Sequence, residues 1–218
     1  MAEIAVLEAN RKSSDKFLTC SIRPSGVFGE GDSQMLPGLL QASIRGQSRF
    51  QLGENDNLFD CTYVQNVAYA HILAAVGLLE TCRRQTAPLD HEKIDGEAFI
   101  ITNDSPAYFW DFIRAVWKEA GDTVGTDPKK VWVLASGFAL AIASIMEFIL
   151  GIFGKEPSLS TYKVRFSVMT RYYSIVKAKQ RLGYQPLVSL EEGIRRGVKE
   201  VMRRPGFDKR SAAEKKTQ

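Results

Sequence analysis

The sequence is poor in the residues that build metal centres and disulfide frameworks. Of 218 residues, two are histidine and three are cysteine. Cys20, Cys61 and Cys82 are odd in number and widely spaced, which predicts free thiols in a reducing compartment. His71 and His91 have no ligand-type neighbour at metal-binding spacing, so no metal motif is present. His71 lies in an alanine-rich run and is expected to pack on a helix. A concentrated basic stripe is also missing: 29 Lys and Arg against 25 Asp and Glu give a net charge of +4. Nucleic acid is therefore not an expected partner. No basic region followed by an apolar stretch opens the sequence, so no secretory signal is expected. No internal repeat occurs. The remainder, 44% hydrophobic and 25% charged, is the composition of a globular chain long enough for one sizeable core.

The chain is organised around Leu18–Asp32. An apolar strand, Phe17–Ile22, breaks at Arg23-Pro24 into a turn-rich stretch carrying Gly26, Gly29 and Gly31. A buried strand that ends in a Gly/Pro loop is where open α/β sheets place ligands. Alone, the pattern fits an ordinary strand-to-helix loop equally well. Arg23 suits either a cofactor phosphate or a neighbouring carboxylate that braces the loop.

Around this stretch the periodicities predict alternating elements. Met1–Asn10 reads as helix, with Ile4, Leu7 and Val6 toward one face. Asp32 or Ser33 is expected to cap a helix with Leu36, Leu39, Leu40 and Ile44 inward, ended by Gly46. Arg49–Leu52 and Phe59–Val64 read as strands, and Asn66 as the cap of a helix Val67–Leu79. Glu97–Thr102 is an apolar strand. Asn103-Asp104-Ser105-Pro106 reads as a helix start, with proline at the first helical position. Phe109, Phe112, Ile113, Val116 and Trp117 follow at helical spacing and read as core. Ser189 and Glu192 form a capping box for a last helix facing inward through Ile194, Val198, Val201 and Met202.

One long apolar run stands out, Val131–Phe153, preceded by Lys129-Lys130 and followed by Lys155. As a single helix it would extend ~35 Å, against about 30 Å of bilayer core. Its apolar residues outweigh Glu147 by a margin of roughly 2 kcal/mol. Insertion or interfacial binding is the expectation, with a pair of buried helices as the alternative.

Several ordered blocks carry a resemblance. RPSGVFGEGD (23–32), then Leu36-Pro37-Gly38, Phe50-Gln51-Leu52-Gly53 and NLFDCTYVQNVAYAH (57–71) are similar to the 3β-hydroxysteroid dehydrogenase family of extended short-chain dehydrogenases/reductases. ITNDSPAYFWDF (101–112) and KAKQRLGYQP (177–186) continue it to about Pro205. Within that family the blocks resemble the branch acting on sterol-4α-carboxylates. The resemblance implies an α/β fold: the C-terminal part of an extended Rossmann-type reductase with a mostly helical substrate lobe over residues 1–205, and a disordered tail over 206–218. The implied activity is NAD- or NADP-dependent oxidation of a sterol 3β-hydroxyl with loss of the C-4 carboxylate. Pro24, Ser25, Gly26 and Val27 are implied to lie against the nicotinamide, and Asp60 and Tyr63 to serve the substrate end.

The same family needs a glycine-rich first turn for the pyrophosphate and a Tyr-x-x-x-Lys pair for proton transfer. No Gly-x-x-Gly-x-x-Gly occurs in this sequence. Tyr173–Lys177 has the second spacing but lies far downstream of the family's position, and it reads as coincidence. In the family, the helix bearing the pair runs into a segment like Met1–Asn10. The sequence is therefore expected to start just after the catalytic lysine. No catalytic residue is assigned, and the chain by itself is expected not to be a competent dehydrogenase.

The alternative is a non-catalytic sterol-binding or membrane-scaffold protein. A nucleotide-sugar epimerase fits less well, because a sugar site needs polar contacts where this chain is apolar. Expected partners are a sterol, a membrane, a second copy of the chain and a sterol C-4 demethylation complex. Lys215-Lys216, third and fourth from the end, resembles a retrieval signal and points to the cytosolic face of the endoplasmic-reticulum membrane.

Overall fold

The computed structural model describes residues 2–84, 86, 88–154, 157 and 159–207. The chain divides into two compact units, each assembled from separated segments. The first unit comprises Met1–Phe28, Asp60–Ser105 and Tyr173–Gly193; the second comprises Gly29–Phe59, Pro106–Tyr172 and Ile194–Gln218.

In the first unit, α1 (Ala2–Glu8) precedes β1 (Ser21–Pro24), which pairs in parallel with β6 (Ala98–Ile101). Strand β2 (Gly26–Phe28) pairs in parallel with β5 (Cys61–Tyr63). A single residue, Ser25, separates β1 from β2, so the chain changes partners within one residue. Helices α3 (Val64–Arg83) and α7 (Val176–Leu182) complete the unit. Phe99 and Ile101 of β6 are fully buried in a cluster with Ala70 and Ala74 of α3 and Ala178 and Leu182 of α7. Alanines one turn apart let helix backbone approach the large strand residues. Each buried Phe or Ile contributes about 1.5–3 kcal/mol.

The start of α3 corrects the expected cap. Asn66 lies inside the first turn and is fully buried. Its Oδ1 accepts from the amides of Leu187 and Val188, each at 3.0 Å, and its Nδ2 donates to Val188 O at 2.8 Å. Asn103 Oδ1 accepts from Tyr63 N at 2.8 Å and from Asn66 Nδ2 at 3.0 Å, while Asn103 Nδ2 donates to Val188 O at 3.1 Å. Two asparagines thus clamp the carboxyl ends of β5 and β6 to the 187–188 loop.

In the second unit, Asp32 accepts from the amides of Gln34, Met35 and Leu36 and so caps α2 (Met35–Ile44) as expected. Gly46 follows with φ +73°. Strand β3 (Phe50–Leu52) pairs in parallel with β8 (Trp132–Leu134), and β4 (Leu58–Phe59) is antiparallel to β7 (Ala107–Tyr108). The expected strand Phe59–Val64 is therefore two strands, β4 and β5, broken at Asp60. Helix α4 (Phe109–Glu119) begins later than Asn103–Pro106 predicts. Its cap comes from a distant loop: Asn55 Oδ1 accepts from Trp110 N at 2.8 Å. Trp110, Phe112, Ile113, Val116 and Trp117 are buried, as the spacing implies.

The apolar run is not one helix. Its first residues form β8, and α5 (Ser136–Ile152) has 17 residues, ~26 Å. Among the described residues, no helix is long and apolar enough to cross a membrane. Glu147 accepts from Thr161 N at 2.9 Å, at the start of α6 (Thr161–Val168). The last helix is α8 (Leu190–Val201); Ser189 Oγ accepts from Glu192 N at 3.2 Å, as expected. The 208–218 tail, with Lys215-Lys216, lies outside the described residues.

Candidate functional site

The carboxyl ends of β1 and β6, where they meet the amino ends of β2 and β5, gather most of the residues singled out from the sequence. Ile101 O at the end of β6 accepts from Ser25 N at 3.1 Å and from Thr62 Oγ1 at 3.0 Å. Ser25 Oγ is 2.7 Å from Thr62 Oγ1. The hydroxyl and amide of Ser25 are thereby spent on the frame. Pro24 contributes no amide hydrogen, and Pro24 and Val27 are exposed while Ser25 and Gly26 are half-buried. The strip presents apolar surface on a fixed backbone, which fits the face of a planar nicotinamide ring.

Asp60 sits at the break between β4 and β5 and is buried. Its Oδ2 accepts from Tyr173 N at 2.8 Å, and its Oδ1 has no partner among the described residues. Burial pushes its pKa up, and the nearby Asp104 charge adds to the rise. A carboxyl so placed holds its proton more tightly than an exposed one. Tyr63 is placed differently from the expectation. It has no exposed surface, its ring packs on Phe28 at 5.9 Å between centroids, and Gly193 lies against it. In this structure Tyr63 is a core residue, not one that faces a ligand.

Arg23 braces rather than binds. Its Nε and Nη2 donate to the two carboxylate oxygens of Glu3, each at 2.6 Å, a bidentate pair that lowers Glu3 to about 2. Tyr173 and Lys177 do not form a catalytic pair: Lys177 Nζ donates to Glu97 Oε2 at 2.6 Å and to Ala98 O at 2.9 Å. All three cysteines are free thiols. Cys61 is buried, and its pKa is pushed up by burial, which makes it unreactive. His71 is exposed, with Nδ1 2.8 Å from Val67 O, rather than packed. Among the described residues, no cluster of His, Cys, Asp and Glu could hold a metal.

A second concavity escaped the sequence reading. The second unit contains a cavity of about 450 Å³ between the β3–β8 pair, α2 and α4. Its wall is apolar except for Gln47 and Lys163. The signal was present as alternation: Phe50 and Leu52 on β3, and Trp132 and Leu134 on β8, fall on one face of the pair. Trp132 and Leu134 were hidden inside a run that reads as continuous helix.

Residues 1–136 match the 3-beta hydroxysteroid dehydrogenase/isomerase family. The chain is 46% identical over 194 residues to sterol-4-alpha-carboxylate 3-dehydrogenase, decarboxylating, of Saccharomyces cerevisiae, covering 89% of this chain and 52% of that protein. The human protein of the same name is 35% identical over 198 residues, covering 91% of this chain and 50% of its own length. The chain thus spans about half the length of the curated relatives it matches. Among solved structures, a dTDP-glucose 4,6-dehydratase from Bacillus anthracis in complex with NAD superposes with a TM-score of 0.56 at 12% identity, over 94% of this chain and 51% of that one. RMD from Pseudomonas aeruginosa, complexed with NADPH, gives 0.52 at 13% identity, over 93% of this chain and 53% of that one. These likenesses bear out an α/β fold of the extended Rossmann-reductase kind. With the motif blocks, the fold and the relatives in agreement, the chain belongs to the 3-beta hydroxysteroid dehydrogenase/isomerase family.

Proposed function

We propose that this chain is the substrate-side part of an NAD(P)-dependent sterol-4α-carboxylate 3-dehydrogenase. The observation that carries the reading is its 46% identity, over 89% of the chain, to a relative of that name. A nicotinamide bound against Pro24–Val27 would supply the hydride acceptor. Loss of hydride from C-3 and of a proton from the hydroxyl leaves a 3-ketone beside the 4α-carboxylate. That β-keto acid loses carbon dioxide, because the electron pair left on C-4 is delocalised into the ketone as an enolate, and C-4 then takes a proton. This chain's own contribution is positioning. Ser25, tied to Thr62 and Ile101, fixes the backbone under the ring. Asp60, buried and accepting from Tyr173 N, holds the chain in place at the substrate end. The preference between NAD and NADP rests on residues toward the ribose, to which no described residue is assigned.

The reading extends to a lipid surface. Phe138, Ile145, Phe148 and Ile152 of α5 are 59–73% exposed, while Ala139 and Ala143 on its other side are fully buried. Such a face suits a helix lying in the bilayer interface, and the endoplasmic-reticulum membrane is the location this implies. Oligomers and a C-4 demethylation complex belong to the same proposal.

The test is an assay of sterol-4α-carboxylate oxidation. The 218-residue chain gives no turnover by itself, and joined to an N-terminal half that supplies the glycine-rich turn and the Tyr-x-x-x-Lys pair it gives NAD(P)H and carbon dioxide in equal amounts. Turnover by the chain alone, or none from the joined protein, sinks the proposal. Sterol binding by a joined protein that neither binds nor reduces a nicotinamide would favour the non-catalytic alternative.

A further inference from the structure

The cavity of the second unit has properties that a general apolar hollow lacks. All three tryptophans of the sequence, Trp110, Trp117 and Trp132, line it. Trp110 Nε1 donates to Leu52 O and Trp117 Nε1 to Leu39 O, each at 2.8 Å. The polar edges of these two indoles are consumed by backbone, and only their hydrocarbon surface remains to meet a ligand. Phe50 and Trp132, paired across the β3–β8 ladder, are 51% and 72% exposed and stand at the rim. The volume, about 450 Å³, lies in the range that buries most of a small ligand. Of the lining side chains only Lys163 is charged.

We propose that this cavity binds the ring-and-side-chain body of a sterol, with the indoles as its walls. The proposal rests on the sterol reading above and deepens it, by giving the apolar bulk of the substrate its own wall of side chains within the second unit. A sugar nucleotide is excluded by chemistry. Its hydroxyls and phosphates would be stripped of water against indole, leucine and phenylalanine surface without replacement hydrogen bonds. A rigid fused-ring hydrocarbon loses little conformational entropy on entry and replaces water along most of its surface.

Because every tryptophan of the chain lies at this site, intrinsic fluorescence reads it directly. The probe is dehydroergosterol, whose absorption overlaps tryptophan emission, delivered from cyclodextrin to the 218-residue chain without lipid. The expected result is saturable energy transfer near one sterol per chain, undiminished by UDP-glucose. Ala42→Phe, which fills the cavity, and Phe50→Asp, which charges its exposed rim, each weaken the transfer at least tenfold. Phe148→Glu on the exposed face of α5, outside the cavity, leaves it unchanged. Far-UV circular dichroism confirms that each variant is folded; Phe50, half in solvent, is the variant to rely on if Ala42→Phe is not.

No transfer with the wild-type chain overturns the inference. So does displacement by UDP-glucose, or transfer lost in Phe148→Glu and kept in Phe50→Asp. Transfer by this chain when the joined enzyme fails to oxidise any sterol acid sinks the dehydrogenase reading alone. Oxidation by the joined enzyme without transfer sinks this inference alone.

Discussion

Asn66 and Asn103 show how a short polar side chain can define an element's end. Between them these two buried side chains satisfy three backbone amides and the Val188 carbonyl. Asn103→Ala leaves the buried Tyr63 amide without its acceptor and should cost about 2–3 kcal/mol in urea unfolding. Asp60 makes the opposite case. Its folded pKa is raised, so the folded protein holds this proton more tightly than the unfolded chain does, and stability falls as pH rises through the folded pKa. Asp60→Asn should therefore be at least as stable as wild type at pH 8 and should flatten the stability difference between pH 4 and pH 8. Glu3 runs the other way: lowered to about 2 by Arg23, it supports α1 above the ordinary carboxylate range and stops doing so as pH falls toward 2. The pair is exposed, so 1 M salt should shrink the effect, read by circular dichroism. The sequence offered both Arg23 pairings and could not reveal Glu3 as the partner, because nothing local joins residues 3 and 23.

At the scale of elements, what was legible followed from local chemistry. Asp32 capping α2, Gly46 ending it, and the buried stripe of α4 each need only neighbours in sequence. What was not legible needed a partner from elsewhere. Asn55 reaches α4 from a remote loop and moves its start to Phe109. Trp132–Leu134 becomes a strand because β3 offers a ladder, although it opens an apolar run whose length suits a helix. Tyr63, implied as a ligand contact, is enclosed by Phe28 and Gly193, neighbours that no local pattern announces. Helix α8 shows the same dependence: a Cβ at Gly193 would lie 2.9 Å from the Tyr63 ring. Gly193→Ala should cost about 1–3 kcal/mol by overpacking, seen as a lower thermal midpoint. On α5, Phe148→Glu should reduce flotation with phospholipid vesicles while leaving the thermal midpoint unchanged, since Phe148 is 73% exposed.

For the whole molecule, the interleaving of segments matters more than their number. Each unit draws on residues from both ends of the chain. A cut between Ser105 and Pro106 therefore separates no unit cleanly. Fragments 1–105 and 106–218 should each lack a cooperative unfolding transition when expressed apart, in contrast to the intact chain. Sequence reading gives one domain here, because no linker composition marks the five places where the chain passes between units.

That interleaving also imposes a schedule. Ser21 of β1 pairs opposite Ala98 of β6, which lies 77 residues further along the chain. At synthesis rates of about 5–20 residues per second, β1 waits roughly 4–15 s for its partner to emerge from the ribosome. Through that interval Ser21–Pro24 have no ladder to join. Newly made chains should thus depend on holdase chaperones over that interval, and slowing the ribosome between residues 24 and 98 should lower the yield of soluble protein.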